Sequence, residues 1–182
     1  DVMIDAYVWG IVNRISPEAP VPVVTVQERT SKLGGAANVA FNMKSLHANP
    51  ILCSVIGNDI KGNEFLGLLE EQGLSTDGIV RSSERITTTK FRVLGNNMQM
   101  LRVDEEDLTP IAKADFDELK LKIESIVLQN DIRAIVFEDY DKGVISKELI
   151  SFVSELASTK GIYVSADPKR NNFLHYQNIN LL

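Results

Sequence analysis

Residues 134–167 read AIVFEDYDKGVISKELISFVSELASTKGIYVSAD. The apolar run AIVF opens the stretch, and a second, IYVSA at 162–166, nearly closes it. Both are continuous rather than alternating, which suits strands covered on both faces. Between them Leu149, Ile150, Val153, Leu156 and Ala157 recur at helical spacing. Ser146 offers an N-cap and Gly161 a stop. Strand, helix and strand in this order form a βαβ unit with parallel strands.

The same rhythm runs upstream. Ala36, Val39, Ala40 and Met43 make one helical stripe, and Phe65, Leu68 and Leu69 a second that stops near Gly73. Phe116, Leu119, Ile123, Ile126 and Val127 make a third. The apolar runs ILCSVIG at 51–57 and INLL at 179–182 add strands. The expectation is an α/β chain built on a doubly wound, mainly parallel sheet. Its 182 residues fit one domain, and 44% apolar composition supplies a sizeable core.

Two regions break the pattern. Residues 7–30 carry Pro20 and Pro22, which fit an edge strand. Residues 86–103 read as a hairpin turning at Gly95-Asn96-Asn97. Both are too polar for a buried sheet, and they are expected to form a small separate β-sheet, a lid over a cleft. Both ends read as cut. DVMID resembles the end of a strand whose start is absent, and Leu181-Leu182 closes inside an apolar pattern.

Composition narrows the partners. The net charge of −6 argues against nucleic acid, but a small phosphorylated ligand needs only a few local cations. No apolar run reaches the roughly 18–20 residues of a membrane span. Cys53 is the only cysteine, so the chain reads as cytoplasmic. With only His47 and His175, no metal site is expected.

In open parallel sheets ligands bind beyond the carboxyl ends of the strands. Asp5, Gly57 with Asp59, the segment Glu138–Lys142, and Asp167 with Lys169 all follow apolar runs. Acids there suit sugar hydroxyls and lysines suit a phosphate, although helix caps and solvated loop ends explain any one acid equally well. Residues 32–46, KLGGAANVAFNMKSL, place Gly34 and Gly35 where a backbone could approach a ligand, and Asn38 where an amide could hold hydroxyls. Tight helix packing is the other reading. The stretch is neither a dinucleotide fingerprint nor a phosphate loop. Arg14, Lys90, Arg92 and Arg102 are the lid's cations, and Lys90 and Arg92 share a face that could meet a phosphate or simply water.

Taken together, the segments DVMIDAY, NRISPEAPVPVV, GGAANVAFN, QMLRVDEED, EDYDKGV and ADPKR resemble the ribokinase-like (PfkB) carbohydrate kinases, and among them the bacterial heptose 7-phosphate kinases of ADP-heptose synthesis. The resemblance implies an ATP- and Mg²⁺-dependent transfer of phosphate to a sugar phosphate. It implies that Asp5, Gly35 and Asn38 bind sugar hydroxyls, with Lys142 and Lys169 near the substrate's phosphate and Asp139 lining the same cleft. It implies a homodimer through the lid strands. The expectation is therefore the N-terminal part of one ribokinase-like domain, with no catalytic base among its residues. His47, Glu138 and Asp141 depart from the family pattern. The rival readings are another sugar or nucleoside kinase of the family and a non-catalytic sugar-phosphate-binding or dimerising module. A nicotinamide dehydrogenase comes last, since the fingerprint is missing.

Overall fold

The computed structural model describes residues 1–182. In chain order, β1 (Val2–Ile15) and β2 (Pro22–Gly35) are a long antiparallel pair, followed by α1 (Ala36–Ser45). Next, β3 (Ser54–Gly57), α2 (Ile60–Glu71) and β4 (Ile79–Ser82) make a parallel βαβ unit. A hairpin of β5 (Thr89–Gly95) and β6 (Met98–Glu105) precedes α3 (Lys113–Gln129). The last unit is β7 (Ala134–Glu138), α4 (Lys147–Lys160) and β8 (Tyr163–Asp167), again parallel, with a 3-10 turn at Phe173–His175.

The local signals act as read. Ser146 caps α4 by accepting the Leu149 amide at 3.2 Å, and Gly161 ends it in the left-handed conformation. Asn96 and Asn97 take φ of 52° and 64°, so the hairpin turns on two left-handed residues, as a type I′ turn requires. The segment 179–182 falls short of a strand. It makes one parallel bridge, Leu181 to Ser165, because the Asn180 side chain takes over the Val164 amide at 2.8 Å.

Neighbouring residues of the short strands face opposite cores. Val55 and Val80 pack with α3, α4, β7 and β8, while Ile56 and Ile79 pack with α1, α2 and β1. Helices therefore cover both faces of β3 and β4, which explains their uninterrupted apolarity. Phe65, Leu69, Leu119 and Ile150 are fully buried at the centres of these layers.

The expected lid is present as strands but is not a detached sheet. The strands form three sheets, a mixed β2-β1-β5-β6 and the parallel pairs β3-β4 and β7-β8, rather than the single doubly wound parallel sheet expected, and β1 reaches from the core into the open sheet. Its first residues, Val2 to Ile4, lie in the core beside α1 and α2; its last, to Ile15, stand in the open sheet. Nothing between Asp5 and Ile15 breaks a strand strongly enough to end it, and register shifts after Trp9 and Val12 bend it instead. Pro22 opens β2 at the sheet edge, where its missing N–H is harmless.

Candidate functional site

Asp5 sits in the interior of β1 rather than at a strand end, which corrects the expectation drawn from the strand-end rule. Its register partners are Lys32 on β2 and Lys90 on β5, and Lys90 in turn faces Asp104 on β6. Directly paired residues share a face. The row Lys32-Asp5-Lys90-Asp104 therefore crosses the sheet on one side. Next to it runs a second row, Thr30-Tyr7-Arg92-Arg102. The opposite face carries Ile4, Ala6 and Phe91, which meet the core over α2.

The charges on this face are joined. Arg92 Nη1 donates to Asp5 Oδ1 at 2.5 Å, and its guanidinium lies 5.3 Å from the Tyr7 ring centre. Lys90 Nζ donates to Asp104 Oδ2 at 2.8 Å and lies 3.5 Å from Glu106. Arg102 Nε reaches the other Asp104 oxygen at 2.9 Å. Lys142, from the loop after β7, lies 2.7 Å from Glu106. Hydrogen bonds from Lys90 and Lys142 hold Asp104 and Glu106 respectively below the usual carboxylate range. Five cations (Lys32, Lys90, Arg92, Arg102, Lys142) thus meet three carboxylates (Asp5, Asp104, Glu106), leaving a local surplus of positive charge in a chain of net −6.

A second group lies at the carboxyl ends of β7 and β8. Glu138 and Asp167 are register partners. Burial first, and then the Asp167 charge, push the Glu138 carboxyl above its ordinary range. The Tyr140 hydroxyl lies 3.5 Å from Glu138, and Lys169 sits 5.3 Å from the Tyr140 ring centre and 3.8 Å from Asp167. Tyr140 feels the charge of Asp5 as well, so this acidic corner adjoins the sheet face.

The remaining predicted residues divide. Asn38 is exposed on the first turn of α1. Gly34 and Gly35 make room for β1 rather than for open space. A Cβ on Gly34 would stand 2.7 Å from Asp5 Oδ2, and one on Gly35 would stand 2.7 Å from the Asp1 carbonyl. Gly35 also takes φ 56° and ψ −138°, a region open to glycine alone. Asp139 does not line a cleft. It is completely buried, accepting from the Asn172 amide and the Tyr176 hydroxyl, each at 3.0 Å, and from the Asp141 amide at 2.9 Å. Burial of three donors around one carboxylate explains the placement. Asp59 is likewise structural: it caps α2 through the Gly62 amide and binds both the amide and the hydroxyl of Thr87.

Asp1, Tyr7, Arg85, Asp104 and Glu106 are not among the residues that the sequence singles out. For Asp104 and Glu106 a signal exists: the acidic run VDEED closes the strand that faces Lys90 and Arg92. For Asp1 and Arg85 none does, because their partners lie 139 and 57 positions away.

An α/β chain with helices on both faces of its short parallel strands, and with a cationic sheet face beside an acidic strand-end corner, fits a sugar kinase. The sequence matches the pfkB family carbohydrate kinases over residues 2–179, and the chain belongs to that family. Among its relatives, the bifunctional protein HldE of Wolinella succinogenes is 39% identical over all 182 residues, and that of Helicobacter pylori 38%. The chain spans 38% and 39% of the length of those two proteins. In shape it resembles a phosphofructokinase-like protein of Staphylococcus aureus, with a TM-score of 0.72 and 11% identity over 97% of this chain and 53% of that one. It also resembles Arabidopsis thaliana ribokinase, whose structure holds ribose and ATP, with a TM-score of 0.58 and 16% identity over 91% of this chain and 50% of that one. At such identity these likenesses speak to the fold alone.

Proposed function

We propose that the chain forms the acceptor side of an ATP-dependent kinase that phosphorylates heptose 7-phosphate to the 1,7-bisphosphate, a step toward ADP-heptose and the lipopolysaccharide core. The observation that carries this reading is the juxtaposition of a cationic face and an acidic corner. Acidic groups accept hydrogen bonds from sugar hydroxyls, and fixed cations take a phosphate. A substrate bearing both chemistries spans the two. HldE, a bifunctional protein, stands among the relatives.

In this reading Asp5 and Asn38 orient the hydroxyls, with Gly34 and Gly35 holding Asp5 and the start of α1 in place. Lys142, Lys90, Arg92 and Arg102 meet the phosphate already on the sugar, and Lys169 guards the edge of the corner. Asp139 supports the loop that carries Lys142. Phosphoryl transfer is largely a matter of positioning and charge stabilisation, so these roles suffice for the acceptor half. ATP supplies the phosphoryl group. Mg²⁺ is proposed to enter with the nucleotide, held by its phosphates and one or two carboxylates; no three His, Cys, Asp or Glu side chains gather into a cation site among these residues. The base and the nucleotide pocket are proposed to lie in the larger share of the relatives' length that this chain does not span. The 182 residues alone are expected to bind a sugar phosphate without turning it over.

The apolar face of the open sheet supports a dimer. Beyond Phe91, Leu101 and Val103 of β6 are exposed with no helix over them, as are Val21 and Val26 near the other edge. A cytoplasmic location is proposed because ATP is available there. No helix is long and apolar enough to cross a membrane.

A thermal-shift panel tests the reading. Heptose 7-phosphate is expected to raise the melting temperature, with the rise abolished in Asp5→Ala and reduced in Asn38→Ala. A larger rise with fructose 6-phosphate or a nucleoside would move the assignment to another kinase of the family. No rise with any sugar phosphate would remove the binding reading.

A further inference from the structure

Lys142 occupies the loop between β7 and α4, and its peptide is held from both sides. The Asp1 carboxylate, only 5% exposed, accepts from the Tyr140 amide at 2.8 Å and the Lys142 amide at 3.2 Å on one oxygen. Its other oxygen accepts from the Val144 amide at 3.3 Å. On the far side, Arg85 Nη2 donates to the Lys142 carbonyl at 2.7 Å and to the Asp107 carbonyl at 2.9 Å. Asp141 and Gly143, on either side of Lys142, take φ of 55° and 81°, which turns alternate amides inward onto Asp1.

A loop that only joins a strand to a helix needs none of this. Here two charged side chains, from the first residue and from the β4–β5 connection, converge on one residue's N–H and C=O. From this fixed backbone the Lys142 side chain reaches across to Glu106, which Lys90 approaches from the sheet face. Hydrogen bonds to charged groups are stronger than neutral ones and hold geometry tightly. Preorganised charge near a reacting or binding anion is worth more than charge that must be ordered on binding.

We infer that Asp1 and Arg85 are positioning residues that aim the Lys142 ammonium at the anionic group of the substrate. The inference rests on the sugar-phosphate reading above. Neither residue touches the substrate; both act through the backbone of residue 142.

A binding cycle on the protein with its whole coding sequence tests it, using heptose 7-phosphate and unphosphorylated heptose as probes in isothermal titration calorimetry. D1N keeps the shape of the side chain but turns donors toward donors. It is expected to weaken heptose 7-phosphate about tenfold, with the free sugar changed less than about twofold. R85K is expected to give a smaller loss of the same selectivity, and it carries the test alone should D1N not fold. In a K142M background both losses are expected to vanish, since the group they aim is gone. Equal losses for the two sugars, or a loss that persists in K142M, would overturn the positioning role. If K142M itself leaves heptose 7-phosphate binding unchanged, the sugar-phosphate reading of Lys142 fails first and the inference with it.

Discussion

Asp5 and Asp139 are both acids in or next to strands, yet their surroundings give them opposite tasks. Asp5 is paired to Arg92 on a partly open face, while Asp139 is sealed among three donors. Asp139→Asn would place an amide's hydrogens against donors already present. It is expected to cost about 2–4 kcal/mol in urea unfolding, with sugar-phosphate affinity reduced only as far as the Lys142 loop that Asp139 supports is loosened. A large loss of affinity at unchanged stability would return Asp139 to the binding site. Glu106 offers a test by pH. Its carboxyl is held down by the Lys142 hydrogen bond, so its contribution is complete above the unfolded glutamate value of about 4.3 and drains away as pH falls through the lower folded value. The melting-temperature gap between the chain and Glu106→Gln should be constant from neutral pH to about 5 and close below about 4. A gap that widens in acid would contradict the pairing.

At the scale of elements, helices and their ends were legible because capping and periodicity are local. Ser146 and Gly161 act through neighbours within four residues, and the Asn96-Asn97 turn closes the adjacent Gly95–Met98 pair, although Asn96 also bonds Val12 on β1. Ser146→Ala is expected to cost about 1 kcal/mol by loss of the cap. Phe65→Ala, at the centre of the layer beneath β1, should cost about 3–5 kcal/mol, read as a shifted urea midpoint at unchanged slope. The length of β1 was not legible. Alternation continues past Asp5 without a breaker, but only the register with β2 and β5 shows that core and open sheet share one strand. The same limit hid Asp1 and Arg85, whose value lies wholly in contacts made across the fold.

Across the whole molecule, charge is distributed rather than merely summed. A chain of net −6 gathers cations on one face of one sheet and sets an acidic pair at its border. Most of those cations are legible in the sequence, since Lys90 and Arg92 alternate on a strand, but of the carboxylates that hold them only Asp5 is. The family was legible because its motifs are spread over most of the chain. The exposed apolar strip of β6 leads to one prediction at this scale. Leu101→Glu should shift the protein toward monomer in sedimentation velocity, with the melting temperature of the monomer little changed. An unaltered sedimentation coefficient would move the contact elsewhere.

The most direct test of the central claim is ³¹P NMR of heptose 7-phosphate incubated with ATP, Mg²⁺ and the protein carrying its whole coding sequence. The expected result is a second sugar-phosphate resonance, growing as ATP is converted to ADP one for one and falling at least about a hundredfold in rate with Asp5→Asn. Consumption of ATP without a sugar bisphosphate, or full activity in Asp5→Asn, would contradict the account.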